Sequence, residues 1–513
     1  MRLFYIVLSL LLLPSAAMAQ DAVDSIGLPE SARIIPDSAL YHYAVSATAT
    51  SSTRHTPFWL LNNRLGLSSL DKNNGYLRAG FFRRMPHQKR FEWGFGADFA
   101  VPYNFTSNFV VQQLYGEIRY RSLELGLGSK NRYMGFTDPE LSSGDMTFSL
   151  NARPVPQLYF AMPKYETVPG TNRWLAFKGF FGLGMFSDWR WESSHVGPKG
   201  RWNSKVLYNS KALFMRIGDP DRHPVTFEGA LEMASQFAGT LHLYDSKLDK
   251  EVSVTPPHGF VDLIKGIIPL ASSSDGADGN NLLMSDVSNC YGNHLGQWAA
   301  ALNFNPRSSE WKFRTYYQHF FEDHSMMFFD YLWRDMLLGF EVTFPKNRFI
   351  EKFLYEYLIT KDQAGAVYHD KTPDIPYQVS GRDSYYNNGL YIGWEHWGMG
   401  MGNPLLVSPI YNADHSLTFM HNRVKAHHFG FTGRPTDELW YRALITYTRS
   451  WGTYDTPTPN IKRNFNMLLE VAYAPQRLKG WDFRAAIGSD GGSLVGPSFG
   501  AMLSIKKTGW LKL

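Results

Sequence analysis

What most constrains this chain is a repeated alternation of apolar and polar residues, interrupted by links of two kinds. The cleanest stretch runs from Arg90 to Val101. Phe91, Trp93, Phe95, Ala97, Phe99 and Val101 fall on one face, and Glu92, Gly94, Gly96, Asp98 and Ala100 on the other, because successive side chains of a strand point to opposite faces. Leu123, Leu125 and Leu127 oppose Glu124, Gly126 and Gly128, and Val225, Phe227, Leu231 and Met233 oppose Glu228 and Glu232. Met467, Leu469, Val471 and Tyr473 oppose Glu470; Trp481, Phe483, Ala485 and Ile487 oppose Asp482 and Arg484; Phe499, Ala501, Leu503 and Ile505 oppose Gly500, Ser504 and Lys506. A pair of soluble sandwiches requires polar outer faces on many strands, and few strands here offer one. In a membrane barrel the apolar face meets lipid instead.

The links sort by parity. Short, turn-rich ones occur at Met85–Lys89, Tyr120–Ser122, Lys164–Asn172, Gly218–Pro224, Asn305–Glu310, Pro345–Arg348, Arg434–Glu438 and Gln476–Gly480. Gly, Pro, Asn and Asp dominate most of them, as tight connections require. Between them run long polar segments: Ser51–Asn73, Lys130–Val155, Asp188–Asn203, His242–Gln297, Glu322–Arg334, Lys361–His421 and Ser450–Arg463. A strand in every gap gives about 18 strands, an even number with both termini on the short-turn, periplasmic side. The expected fold is all-β: a transmembrane antiparallel β-barrel with long extracellular loops and a short periplasmic N-terminal segment.

The first residues carry Arg2, an apolar run from Leu3 to Leu13, and Ala17-Met18-Ala19 before Gln20. This order reads as a cleavable secretory signal; the run is too short for a membrane-spanning helix. Three regions follow: a signal peptide over 1–19, a periplasmic lead over 20–38 and a barrel over 39–513. Aromatic residues make up 15% of the chain, with 36 Phe, 28 Tyr and 15 Trp, and barrels use such rings at both lipid–water boundaries. Cys290 is the single cysteine, so no intrachain disulfide is possible. A net charge of +5 gives no support to nucleic-acid binding.

Motifs for chemistry are sparse. The Gly398–Gly402 run lacks the G-x-G-x-x-G spacing of a nucleotide loop. No H-E-x-x-H or G-x-S-x-G occurs. Glu228 and Glu232 share a lumen face roughly 13 Å apart along one strand, whereas glycoside hydrolysis needs carboxyls within about 5–9.5 Å. They are expected to pair with lumen cations such as Arg119, Arg314 or Arg484. His421, His427 and His428 read as solvated rim residues, the adjacent pair pointing to opposite faces. Alternating Gly126–Gly128 and Gly182–Gly184 are expected to face the lumen. Gly259–Leu270 is expected to form a short amphipathic helix packing its Leu and Ile on the barrel rim. The chain is therefore expected to be non-enzymatic, without cofactor or metal.

Several segments beside or within the long links carry a resemblance. They are TPFWLLNNRLGL at Thr56–Leu67, GYLRAG at Gly75–Gly80, GSKNRYMGFTDPELSSGDMTFSLNARPVPQL at Gly128–Leu158, KGFFGLGMFSDWRW at Lys178–Trp191 and DSYYNNGLYIGWEHWGMGMGNPL at Asp383–Leu405. Together they resemble the capsule assembly Wzi family, particularly its Bacteroidetes members, over nearly the whole mature chain. The resemblance implies a Gram-negative outer-membrane barrel of about eighteen strands acting as a lectin, which helps assemble or retain capsular polysaccharide or exopolysaccharide at the cell exterior. It also implies a periplasmic helical element, for which the lead here is too short and too interrupted by proline. Outer-membrane lipid and the barrel-assembly machinery are the further partners expected; an outer-membrane porin or substrate-specific channel is the alternative.

Sugar recognition needs flat aromatic faces and planar polar groups. Asp188 and Arg190, at the outer end of one strand, share lumen parity, while Trp189 and Trp191 share the parity of a lipid-boundary girdle. Tyr385, Tyr386, Asn387, Asn388, Trp394 and Trp397 lie in a long loop away from girdle positions. With Asp188 and Arg190 they form the candidate carbohydrate site. Lys130, Arg132 and Arg382 are loop cations available to acidic sugars.

Overall fold

The computed structural model describes residues 40–85, 89–133, 135–268, 291–322, 334–363 and 383–511. Residues 1–39, which include the expected signal peptide (1–19) and periplasmic lead (20–38), and Arg382 lie outside these. Eighteen antiparallel strands close into one barrel. In chain order they are β1 Tyr41–His55, β2 Asp71–Arg83, β3 Phe91–Tyr103, β4 Val110–Tyr120, β5 Leu123–Ser129 and β6 Gln157–Thr167. β7 Leu175–Met185, β8 Leu207–Ile217, β9 Val225–Phe237, β10 Asn293–Phe304, β11 Lys312–Glu322 and β12 Met336–Thr343 follow. The last six are β13 Lys352–Ile359, β14 Val424–Thr436, β15 Leu439–Gly452, β16 Pro457–Tyr473, β17 Trp481–Gly492 and β18 Ser498–Leu511. Each strand pairs with its sequence neighbour, and β1 pairs with β18 from Tyr41↔Leu511 to Ser52↔Gly500. Closure leaves no sheet edge, so every strand meets a partner on both sides, the condition for crossing lipid.

The faces are inverted relative to a soluble protein. Leu77, Val101, Leu127, Leu213, Phe499 and Leu503 point outward and are exposed, while Glu92, Asp98, Glu117 and Glu470 point inward and are buried. On the side holding Tyr41 and Leu511, exposed Trp93, Tyr120, Trp174, Trp311, Tyr473 and Trp481 ring the barrel, forming the aromatic girdle that suits a lipid–water boundary. Among the described residues no helix is long and apolar enough to span a membrane. Inside, many charges are paired, but the pairing expected of Glu228 and Glu232 holds for Glu228 alone, since the fully buried Glu232 forms no ion pair among the described residues. Arg78 holds both oxygens of Asp98, Lys130 Nζ meets Glu117 at 2.6 Å, and Arg314 meets Glu228 at 2.8 Å. Arg484 bonds Asp482 at 2.9 Å, while Arg119 donates to the Met85 carbonyl.

The parity of the links holds with two corrections. The connections β3–β4 (residues 104–109) and β17–β18 (residues 493–497) lie on the long-loop side yet are only a few residues long. Gly- and Asn-containing links of this kind also serve as tight turns, so length alone does not report the side. The histidine reading also changes: His427 and His428 do face opposite ways, but His428 is buried and bridges the Leu141 carbonyl and Thr446 Oγ1 at 2.7 Å each, and His421 is half-buried with its Nδ1 3.1 Å from Ser450 Oγ.

The long loops fold inward. Helix α1, Phe58–Leu61, is wholly buried; Phe58 N–H donates to Asp490 Oδ2 at 2.9 Å and Trp59 Nε1 to Thr446 Oγ1 at 3.0 Å. Residues 135–155 and 383–421 join it. Phe136, Met146, Phe148, Tyr385, Trp394, Leu405 and Phe419 form one continuous core with wall residues including Phe214, Tyr316, Phe320, Leu354 and Leu468. Arg64 of the first loop donates to both oxygens of Glu470 at 3.1 Å, and Arg442 Nη2 reaches the same carboxylate at 2.5 Å. This plug is an apolar core with a charged seam to the wall.

Two further elements sit on the loop side. Helix α2 is Trp189–Val196 and helix α3 is Phe260–Ile267. Leu263 and Ile267 of α3 pack with Phe237, Leu183 and Leu207, so the rim helix forms as expected, although Phe260, Val261 and Ile264 stay exposed. Trp202–Ser204, Thr240–Asp245 and Lys250–Val254 make a small three-stranded sheet beside them.

Candidate functional site

The candidate residues divide by depth. Tyr385, Tyr386 and Trp394 are completely buried. Tyr385 Oη donates to Asp335 Oδ2 at 2.9 Å, Tyr386 Oη donates to the Met146 carbonyl, and Trp394 Nε1 donates to the Thr147 carbonyl at 3.1 Å. Burial pushes both tyrosine hydroxyls up, with Asp335 beside Tyr385 and Glu322 beside Tyr386 adding to it. Their edges meet Phe320 at 4.7 and 5.5 Å. These three rings are plug core, and a glycan arriving from outside meets none of them. Gly402 shows how tight the packing is, since a Cβ there would lie 2.2 Å from Tyr386 Oη.

Asn387 and Asn388 hold turns. Asn387 accepts from Phe419 N–H at 2.7 Å and donates to the Phe419 carbonyl at 3.0 Å. Asn388 Oδ1 accepts from Leu390 and Tyr391 N–H. Such side-chain to backbone bonds replace the missing ladder partners of an irregular segment.

Trp397 is different. Glu395–His396 and Met399–Gly400 pair as a minimal hairpin, which places Trp397 and Gly398 at its tip. Both have positive φ, 59° and 79°, as a type I′ turn needs. Glycine adopts this freely; a tryptophan there costs about 1–3 kcal/mol. Two carboxylates hold it: Trp397 N–H donates to Asp188 Oδ2 at 2.6 Å, and Gly398 N–H to Glu395 Oε2 at 2.5 Å. The indole is half-buried. Its ring lies 6.0 Å from Trp191 and carries the Arg153 guanidinium at 4.6 Å.

The α2 segment corrects the girdle assignment. Residues 189–196 are helical rather than extended, so the lumen-and-lipid parity assigned to Asp188, Trp189, Arg190 and Trp191 does not apply. Instead Asp188 is fully buried, Arg190 is exposed with its guanidinium 5.0 Å over Trp189, and Trp191 stacks on His195 at 4.6 Å. His195 meets exposed His415 at 4.9 Å. Trp191, Trp397, His195 and His415 are thus gathered into one aromatic face, with exposed Arg190 next to it in the chain and lying over Trp189. A face of rings and planar donors is suited to stacking on sugar rings and to bonding their hydroxyls. The histidines were not singled out by sequence, because their partners come from segments more than two hundred residues apart.

Under this face lies an acidic cluster. Glu192 and Glu395 are almost completely buried. Burial raises both carboxyls well above the ordinary range, and the Asp188 charge raises them further. His396, buried beside them, is pushed down by its desolvation; its Nδ1 bonds the Arg153 carbonyl at 2.9 Å and its Nε2 Ser187 Oγ at 3.0 Å.

Comparison with protein-family models and with curated proteins finds no match. Among solved structures the chain is similar to Wzi of Escherichia coli, described as an outer-membrane protein involved in group 1 capsule assembly and a carbohydrate-binding β-barrel. The TM-score is 0.54 at 10% identity, covering 91% of this chain and 84% of that one. It is also similar to OprD of Pseudomonas aeruginosa (TM-score 0.43, 8% identity, 94% and 98% covered). OccAB2 of Acinetobacter baumannii gives TM-score 0.43 at 8% identity, with 92% and 98% covered. The likeness concerns the fold, an outer-membrane type of barrel. It does not separate a carbohydrate-binding barrel from a channel; that distinction has to come from the interior and the rim.

Proposed function

We propose that this chain is a non-enzymatic outer-membrane lectin of the Wzi kind, which binds capsular or other surface polysaccharide at the cell exterior and helps assemble or retain it. The observation that carries the reading is the filled lumen. A continuous apolar core of loop residues spans the interior where a porin keeps water. The outward apolar band and turn-side girdle support residence in the outer membrane, reached by way of the 1–19 signal and the barrel-assembly machinery, with residues 20–38 as a short periplasmic lead.

Within that reading the contact face is Trp397, Trp191, His195, His415 and Arg190, with Asp188 positioning Trp397 from beneath. Tyr385, Tyr386, Asn387, Asn388 and Trp394 build the scaffold of the same loop.

The test is binding of the detergent-folded protein to the producing cell's own surface polysaccharide, with an unrelated glycan as control. Trp397→Ala is expected to lower affinity by about ten-fold or more, since stacked rings at a hot spot carry roughly 2 kcal/mol. Its heat-modifiable electrophoretic migration should remain that of the folded barrel. No saturable binding by the folded wild type, together with stepwise ion conductance in planar bilayers, would establish the channel reading instead.

A further inference from the structure

Three carboxylates converge beneath the Trp397 tip. Asp188, Glu192 and Glu395 are all buried, and one oxygen from each lies within 4.8 Å of the others. They come from two segments: Asp188 and Glu192 from the start of α2, Glu395 from the hairpin. Each already spends one oxygen on a backbone N–H. Asp188 Oδ2 accepts from Trp397, Glu192 Oε2 from Asn203 at 2.9 Å, and Glu395 Oε2 from Gly398. Asp188 Oδ1 accepts no hydrogen bond, although the side chain is entirely sealed from solvent. A cavity of about 20 Å³ adjoins, lined among others by Glu192, Asn203, Gln236 and Glu395.

The surrounding cations reach Asp188 alone, through the nearby Arg153 charge and the His396 ring, and leave the other two carboxylates without a partner cation. Arg153 spends its donors on the Gly66 carbonyl, Thr106 Oγ1 and Ser107 Oγ. His396 Nε2 stands 4.0 Å from Asp188 Oδ1, and its hydrogen bond goes to Ser187 Oγ. Lys205 lines the cavity from an exposed position. Among the described residues no ion pair includes Glu192 or Glu395. Ionising all three carboxylates this close together in a dry site would be strongly unfavourable without a countercharge among them.

We propose that Asp188, Glu192 and Glu395 bind a single Ca²⁺ ion that fastens the plug hairpin to helix α2. An all-oxygen set of carboxylates drawn from two separate segments suits Ca²⁺, which takes several oxygen ligands at adaptable geometry. Zn²⁺ favours nitrogen and sulfur. The ion neutralises the cluster, meets the orphaned Asp188 oxygen and fixes the spacing of Trp191 and Trp397. The site is independent of any glycan, so its test requires none.

The experiment is titration of the chelator-stripped, detergent-folded full-length protein with CaCl₂, followed by calorimetry and by tryptophan fluorescence. About one equivalent is expected to bind saturably, with a fluorescence change from the nearby indoles. Glu395→Gln and Glu192→Gln, checked as folded by heat-modifiable migration, should each weaken binding about ten-fold or more, as loss of a charged ligand does. Absence of saturable Ca²⁺ binding, equal affinity in both variants, or binding of Zn²⁺ in place of Ca²⁺ would each overturn the assignment. If the variants do not fold, limited proteolysis of the wild type decides. Cleavage in 186–206 and 383–421 that slows with Ca²⁺ supports the site, and identical cleavage with and without Ca²⁺ overturns it.

Discussion

Replacing Trp394 by alanine tests whether apolar packing holds the plug in the barrel. The side chain is fully buried, its indole N–H meets the Thr147 carbonyl at 3.1 Å, and its ring lies 5.9 Å from Tyr208 of the wall. Its backbone belongs to the plug, bonding Tyr386 and Met401, and to none of the barrel ladders. Truncating a buried tryptophan costs about 3–5 kcal/mol, and the abandoned Thr147 carbonyl is part of that cost. At about 4 kcal/mol the equilibrium for plug undocking shifts roughly 10³-fold. The strands are untouched, so the barrel should keep its heat-modifiable migration while residues 383–421 become open to protease. Conductance across a planar bilayer should rise above the wild-type level. Unchanged conductance and unchanged protease resistance in a folded Trp394→Ala barrel would refute the claim that this core keeps the lumen shut.

Two further outcomes follow from the same packing. Glu470→Gln removes the carboxylate shared by Arg64, Arg442 and Arg484; stranding buried guanidinium groups costs about 3–5 kcal/mol, so the temperature at which migration changes should fall. His421 is pushed down to about 4 by burial, with Lys462 adding to it, from an ordinary 6.5. The undocked state therefore takes up the proton more readily, and His421 contributes stability above pH 6.5 that is lost as pH falls toward about 4. Loop protease resistance of the wild type, relative to His421→Asn, should decline across that window; a pH-independent difference would sink the assignment.

The barrel was legible in the chain because its signals are local. A period of two from Phe91 to Val101 fixes which residues face lipid, and Gly, Pro and Asn links mark the turns whatever the rest of the chain does. Two short loop-side connections, at residues 104–109 and 493–497, escaped because they carry the same turn chemistry as the opposite side. At Asp188–Trp191 a strand pattern carried a few residues too far proved helical, since so short a window fits either period.

The interior was decided by tertiary structure. Loops have no period to read, and nothing local separates a tryptophan that fills the plug, Trp394, from one that caps it, Trp397, three positions on. What separates them is the partner each meets: Thr147 for one, Asp188 and Trp191 for the other. The acidic cluster has the same origin, since Glu192 and Glu395 become neighbours only once two loops have folded into one closed wall. Sequence determined the wall, because hydrogen-bond ladders and lipid impose an alternation on every strand. The structure alone determined what fills it, because that depends on which distant loops come to share one confined, water-poor space.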